Sequence, residues 1–133
     1  PTINLTADYY FDRDDEKFIG AEIGSNNTAE LSAFLHALRW ILTRDGDEPC
    51  EICTDSKYAG HIADGSWQAK TNKDIASRVQ SLWKDVSILR PLSWRHVRAH
   101  QGHKWNERAD HLAKRVVNDE NPIPLDFWKP GQN

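Results

Sequence analysis

Two short apolar runs, Cys50–Thr54 and Leu92–Val97, each end at a polar stretch that opens into a helical pattern, and this restricts the fold more than any other feature. Strands joined through helices pair in parallel, and such sheets deliver their functional loops to the carboxyl ends of the strands. The first run passes into Asp55-Ser56 and a helix through Tyr58 and Ile62. The second passes into the polar loop Arg98–Lys104 and a helix from about Asn106 to Val117.

The rest of the chain fits around these two strands. Leu31, Leu35, Leu38 and Leu42, widened by Phe34 and Ile41, recur at helical spacing and predict a helix over about Thr28–Leu42. Asn27 followed by Glu30 has the form of a capping box at its start. Ile75, Val79, Leu82 and Val86 predict another helix over Lys73–Val86. Upstream, Ile3–Phe11 and Lys17–Ile23 flank the polar turn Asp12-Arg13-Asp14-Asp15 at hairpin distance. The order is a β-hairpin and then α-β-α-α-β-α, which places the chain in the α/β class, a mixed sheet with helices on both faces. A length of 133 residues suits one domain, read here as 1–117, followed by an irregular, proline-containing tail over 118–133.

Charged residues at 28% and hydrophobic ones at 38% exclude a disordered segment. No run approaches the roughly 18 apolar residues of a membrane span, so no membrane partner is expected. The N-terminus lacks a basic-then-apolar leader, which predicts an intracellular protein, cytoplasmic or nuclear. The net charge of −3 runs against phosphate binding, but the basic residues bunch between Arg90 and Arg115, where they would offset it. Cys50 and Cys53 form a Cys-x-x-Cys pair. A redox pair places its first cysteine at a helix N-terminus, whereas these lie in a strand and face opposite ways. Two reduced thiols are the expected state. A zinc module from Cys50, Cys53, His96 and His100 has permissible local spacings, although 42 residues separate the pairs.

Three carboxylates stand where chemistry is expected. Glu30 opens the first helix, Asp55 follows the Cys50–Thr54 strand, and Asp110 lies on the last helix. Each also has a plainer reading: Glu30 completes a capping box, Asp55 caps the helix it opens, and Asp110 is a solvated helix residue.

The residues around them carry a resemblance. Asn26-Asn27-Thr28-Ala29-Glu30-Leu31, Thr54-Asp55-Ser56-Lys57-Tyr58 and Asn106-Glu107-Arg108-Ala109-Asp110-His111-Leu112-Ala113 resemble three motifs of type 1 ribonuclease H. Trp94-Arg95-His96-Val97-Arg98-Ala99-His100-Gln101-Gly102-His103 resembles that family's strand and histidine loop, with His100 ten residues before Asp110. The match spans about residues 9–117, and its wording is closest to domains carried by retroelements.

The resemblance implies a ribonuclease H-like fold and metal-dependent cleavage of the RNA strand of an RNA–DNA hybrid. It implies Glu30, Asp55 and Asp110 as ligands of two Mg²⁺ ions, with Mn²⁺ as a substitute, and His100 as the group assisting proton transfer or product release. Hard cations prefer oxygen ligands, and two of them about 4 Å apart stabilise both the attacking and leaving oxygens of a phosphodiester. Asn26 resembles the asparagine that touches the hybrid in its minor groove, and Trp67 resembles an aromatic lining the channel for the DNA strand. For Trp67, packing in a core or interface is the competing reading.

Two departures stand out. The family's first strand and its terminal aspartate are not found, which predicts that they are missing or supplied by a separate segment, with Asp8 as a stand-in. The basic, tryptophan-rich protrusion is also absent, which predicts weak hybrid affinity or dependence on an attached partner such as a reverse transcriptase. The competing functional reading is a catalytically degenerate ribonuclease H fold that binds nucleic acid or serves a structural role.

Overall fold

The computed structural model describes residues 26–99 and 102–131. The hairpin over 3–23, the first-strand question, Asp8 and His100 lie outside the described residues. Within them the chain forms α1 (Asn26–Leu42), β1 (Cys50–Thr54), α2 (Lys57–Asp64), α3 (Lys73–Leu89), β2 (Leu92–His96) and α4 (Lys104–Val117). The expected α-β-α-α-β-α order is present. β1 and β2 pair in parallel, with register from Cys50 opposite Leu92 to Thr54 opposite His96, so both strands end on the same edge. One compact unit runs to His96, and a second begins at Val97.

The core of the first unit follows from helical periodicity. Leu31, Leu35 and Leu38 of α1 are fully buried, with Ile62 of α2 and Ile75, Val79 and Val86 of α3. α1 packs against α3, and α2 packs against both. Each large aliphatic side chain removed from water contributes about 1.5–3 kcal/mol, so this cluster supplies the main stabilisation of the unit. The stripe on α1 is wider than its leucines, because Thr28 and Ser32 are also buried, and the Ser32 hydroxyl donates to the Thr28 carbonyl at 2.8 Å.

α1 begins at Asn26, two residues before the position its periodicity predicts. Asn27 is therefore inside the helix, which removes the expected capping box with Glu30. α2 starts one residue later than expected, and Ser56, not Asp55, is its cap: the Ser56 hydroxyl accepts from the Ala59 amide at 3.1 Å. α3 runs three residues past Val86, to Leu89.

Gly60 shows why one glycine sits inside α2. A Cβ at this position would enter the Trp94 indole of β2, so helix and strand reach this approach only without a side chain. Alanine is the better helix former by about 1 kcal/mol, yet overpacking costs about 1–3 kcal/mol, and packing prevails. Gly60→Ala is therefore expected to lower the urea midpoint, despite its higher helix propensity.

The loop from α1 to β1 is held by Arg90, which is buried at the end of α3. Its guanidinium donates to the carbonyls of Arg44 (3.0 Å), Gly46 (2.8 Å) and Glu48 (3.3 Å) and to the Cys50 sulfur (3.5 Å). One side chain thus satisfies three loop carbonyls that have no regular structure to pair with.

In the second unit α4 starts at Lys104, two residues earlier than predicted, because the His103 ring nitrogen Nδ1 accepts from the Asn106 amide at 3.2 Å and caps the helix. Over its described residues, 118–131, the following tail forms no helix or strand but is fastened to α4. Arg108 donates to the Ile123 carbonyl at 2.7 Å, and the Ile123 amide donates to His111 Nε2 at 3.1 Å. Trp128 is buried, its ring 6.0 Å from that of His111 and 5.4 Å from the Arg108 guanidinium carbon.

Candidate active site

β1 hands the chain to Asp55 at its carboxyl end. There the buried Thr54 accepts from the Ser56 amide at 3.0 Å, and Ser56 turns to cap α2. The cap is filled by serine, so helix capping does not account for the aspartate. Glu30 stands in the second turn of α1, half-buried. Its carboxyl is held above the usual glutamate range, first by burial and second by the negative charge of Asp55. The structure thus brings Asp55 into electrostatic reach of Glu30, in an arrangement that disfavours charge on Glu30.

That arrangement has a consequence for stability. A carboxyl whose folded-state pKa is raised holds its proton longer in the native than in the unfolded state. Stability therefore falls as pH rises from the unfolded value, near 4.5, through the raised one. Glu30→Gln is expected to raise the thermal midpoint of the metal-free protein at neutral pH and to leave it unchanged below pH 4. Paired melting curves at the two pH values check this.

Asp110 belongs to the second unit, on α4, where its carboxylate pairs with Lys114 one turn on at 3.2 Å. Among the described residues no group of three or more histidines, cysteines or acids is arranged to hold a metal. The thiol readings find no support in the local geometry. Cys50 and Cys53 are free thiols on a strand, Cys53 exposed and taking a hydrogen bond from Arg95 at 3.3 Å, and neither sits at a helix N-terminus.

The substrate candidates fall as follows. Asn26 is the first residue of α1 and is exposed. Trp67 is 46% exposed, which rules out core packing, and it lines a cavity of about 330 Å³ with Asn27, Tyr58, Ile62, Gln68, Lys70 and Thr71. Sequence reasoning passed over Tyr58, Lys70 and Thr71 as wall residues, although Tyr58 lies within a quoted motif and Lys70 and Thr71 follow Trp67 closely. It also passed over Asn72, which is buried, has a left-handed backbone (φ 52°) and carries a side-chain oxygen with no partner.

Within the basic run from Arg90 to Arg115, Arg95 pairs with Glu51 (3.1 Å), Lys114 with Asp110 and Arg115 with Glu120 (2.7 Å), whereas Arg90 and Arg108 donate to backbone carbonyls and keep their charge.

Asp55 thus follows a parallel strand of an α/β fold, within electrostatic reach of Glu30 on the first described helix. The chain belongs to the ribonuclease H family, whose family model matches residues 5–118. It is 34% identical over 124 residues to a ribonuclease H of Tropheryma whipplei (strain Twist), covering 84% of this chain and 73% of that one. It is 38% identical over 117 residues to a ribonuclease H of Janthinobacterium sp. (strain Marseille), covering 80% and 78%. A ribonuclease H of Herminiimonas arsenicoxydans is 37% identical over 121 residues, covering 83% and 80%. The chain is accordingly a ribonuclease of this family, whose members use divalent metal ions. Among the described residues no helix is long and apolar enough to cross a membrane.

Proposed function

We propose that this chain hydrolyses the RNA strand of RNA–DNA hybrids, with Glu30, Asp55 and Asp110 holding two Mg²⁺ ions, for which Mn²⁺ can substitute. The observation that carries the reading is the pairing of Glu30 with Asp55. Burial, and the negative charge of Asp55, oppose ionisation of Glu30, and two carboxyl groups within electrostatic reach offer oxygen donors that suit a hard divalent cation. When bound, such cations would neutralise charge on the phosphate and acidify water at the site. His100 would carry protons between solvent and the reacting oxygens, a task suited to a group that titrates near neutrality.

Asn26 would face the minor groove, where 2′-hydroxyls on one strand only distinguish a hybrid from uniform duplexes. Trp67 and its cavity would receive the DNA strand, because aromatic faces accept bases of any sequence. The family's basic, tryptophan-rich protrusion is not found in this sequence, so the isolated chain is expected to bind hybrid weakly, with Kd about micromolar or above at physiological salt. A tethered reverse transcriptase, as in the retroelement domains its motifs resemble, or a segment supplying the family's first strand and aspartate, would compensate. The free thiols Cys50 and Cys53 suit a reducing intracellular compartment.

The test is cleavage of an end-labelled hybrid beside RNA–RNA and DNA–DNA duplexes of the same sequence. Internal cuts in the RNA of the hybrid alone, with Mg²⁺ and not with chelator, support the proposal. Equal cutting of all three, or none with chelator-sensitive metal restored, opposes it.

A further inference from the structure

We propose that His61 is a positioning residue for hybrid binding, its imidazole forming the floor on which the Trp67 indole is held to meet the DNA strand. This rests on the reading of Trp67 as a strand contact. Trp67 lies between α2 and α3 on a stretch with no regular structure, and an exposed indole there would sample many orientations. His61 restrains it through two contacts. The Trp67 amide donates to the His61 carbonyl at 3.1 Å, and the two rings stack with centroids 4.2 Å apart at 27°.

The floor is itself braced. The edge of His61 meets Trp94 of β2 at 5.0 Å and 84°, and the Trp94 indole N–H donates to Asp64 at 2.8 Å. Asp64 also accepts from the Ser66 amide at 2.9 Å, which ties the stretch leading to Trp67 to the same carboxylate. The last turn of α2, strand β2 and the Trp67 stretch thus share one cluster of rings, stacked between His61 and Trp67 and edge-on between His61 and Trp94. Gly60 makes room for Trp94 within it.

His61 contributes to this stack with a ring face and not through its Nδ1 atom, which is buried with no hydrogen-bond partner. An unsatisfied buried nitrogen opposes folding, so a ring held in this way has its use in the face it offers. A base stacked on Trp67 would extend the His61–Trp67 stack, and orientation fixed in advance reduces the ordering cost of binding.

The experiment is a double-mutant cycle on the full chain with hybrid substrate, comparing His61→Ala, Trp67→Ala and the pair. His61→Ala is expected to raise KM about five- to tenfold, the scale of one aromatic contact, with kcat within twofold of the parent. The pair is expected to be no worse than Trp67→Ala alone, and His61→Phe, which keeps the ring, is expected to restore KM to within twofold. A fall in kcat at unchanged KM, multiplying effects in the pair, or no rescue by phenylalanine would overturn the assignment. Hybrid titration by fluorescence anisotropy in chelator gives the same comparison without turnover. A parent chain that cuts no hybrid would therefore count against the proposed function, while the cycle in binding still decides the role of His61.

Discussion

Asp55→Asn is expected to reduce hybrid cleavage by about 10³-fold or more, the scale of losing a metal-bound carboxylate that stabilises transition-state charge. The substitution keeps shape and volume and removes only the ionised oxygen. Ser56 caps α2 and Thr54 receives the Ser56 amide, so neither local anchor depends on Asp55 being charged. Removing the negative charge also relieves Glu30, whose carboxyl Asp55 helps to hold above its usual range. The thermal midpoint without metal is therefore expected to stay level or rise while turnover collapses. Single-turnover cleavage and thermal melts on the same preparations check both halves. Retention of more than a tenth of the activity would show that the reaction does not need this carboxylate.

The second large effect is structural. Arg90→Met is expected to cost about 3 kcal/mol, because hydrogen bonds from a charged donor each contribute about 1.5–3 kcal/mol and three loop carbonyls lose theirs together. The loss is less than the sum, because the carbonyls of Gly46 and Glu48 lie on exposed residues and regain water. The Glu48 carboxylate adds little, at 3.9 Å and largely exposed. Arg90→Lys is expected to recover less than half of the loss, because an ammonium cannot reach in two directions as the guanidinium fork does. Urea denaturation separates these outcomes, and a loss under about 1 kcal/mol for Arg90→Met would mean that the loop holds itself.

These cases show what was legible in the sequence. Helices α1 and α3 were readable because their core is one continuous apolar stripe, Leu31-Leu35-Leu38 facing Ile75-Val79-Val86, and periodicity encodes such a stripe directly. The strands β1 and β2 were readable for the same reason, and Asp55 stood at the end of one of them. Element ends were less legible where side chains competed for the same role. Asp55 and Ser56 are both good caps, and only the structure shows that serine takes the position. At α4 the cap is the ring of His103, a residue type that gives no strong start signal.

What the sequence could not show was pairing across distance. Arg90, Arg95 and Arg108 read as a basic run, yet each is committed to a partner far away in the chain. The tail read as irregular, and it has no helix or strand, but Trp128 and Ile123 fasten it to α4 through contacts that no local pattern encodes. The His61–Trp67 stack is of the same kind, since six residues of irregular spacing give no hint that two rings will lie face to face. For the carboxylates, the motifs named the residues, while the electrostatic reach of Asp55 to Glu30 comes from the fold.

The most direct measurement of the central claim is anomalous scattering from crystals of the full chain grown with Mn²⁺ and a hybrid whose RNA resists cleavage. Two peaks about 4 Å apart, coordinated by oxygens of Glu30, Asp55 and Asp110, are predicted. Manganese elsewhere, or a site from which any of these three carboxylates turns away, would contradict the account.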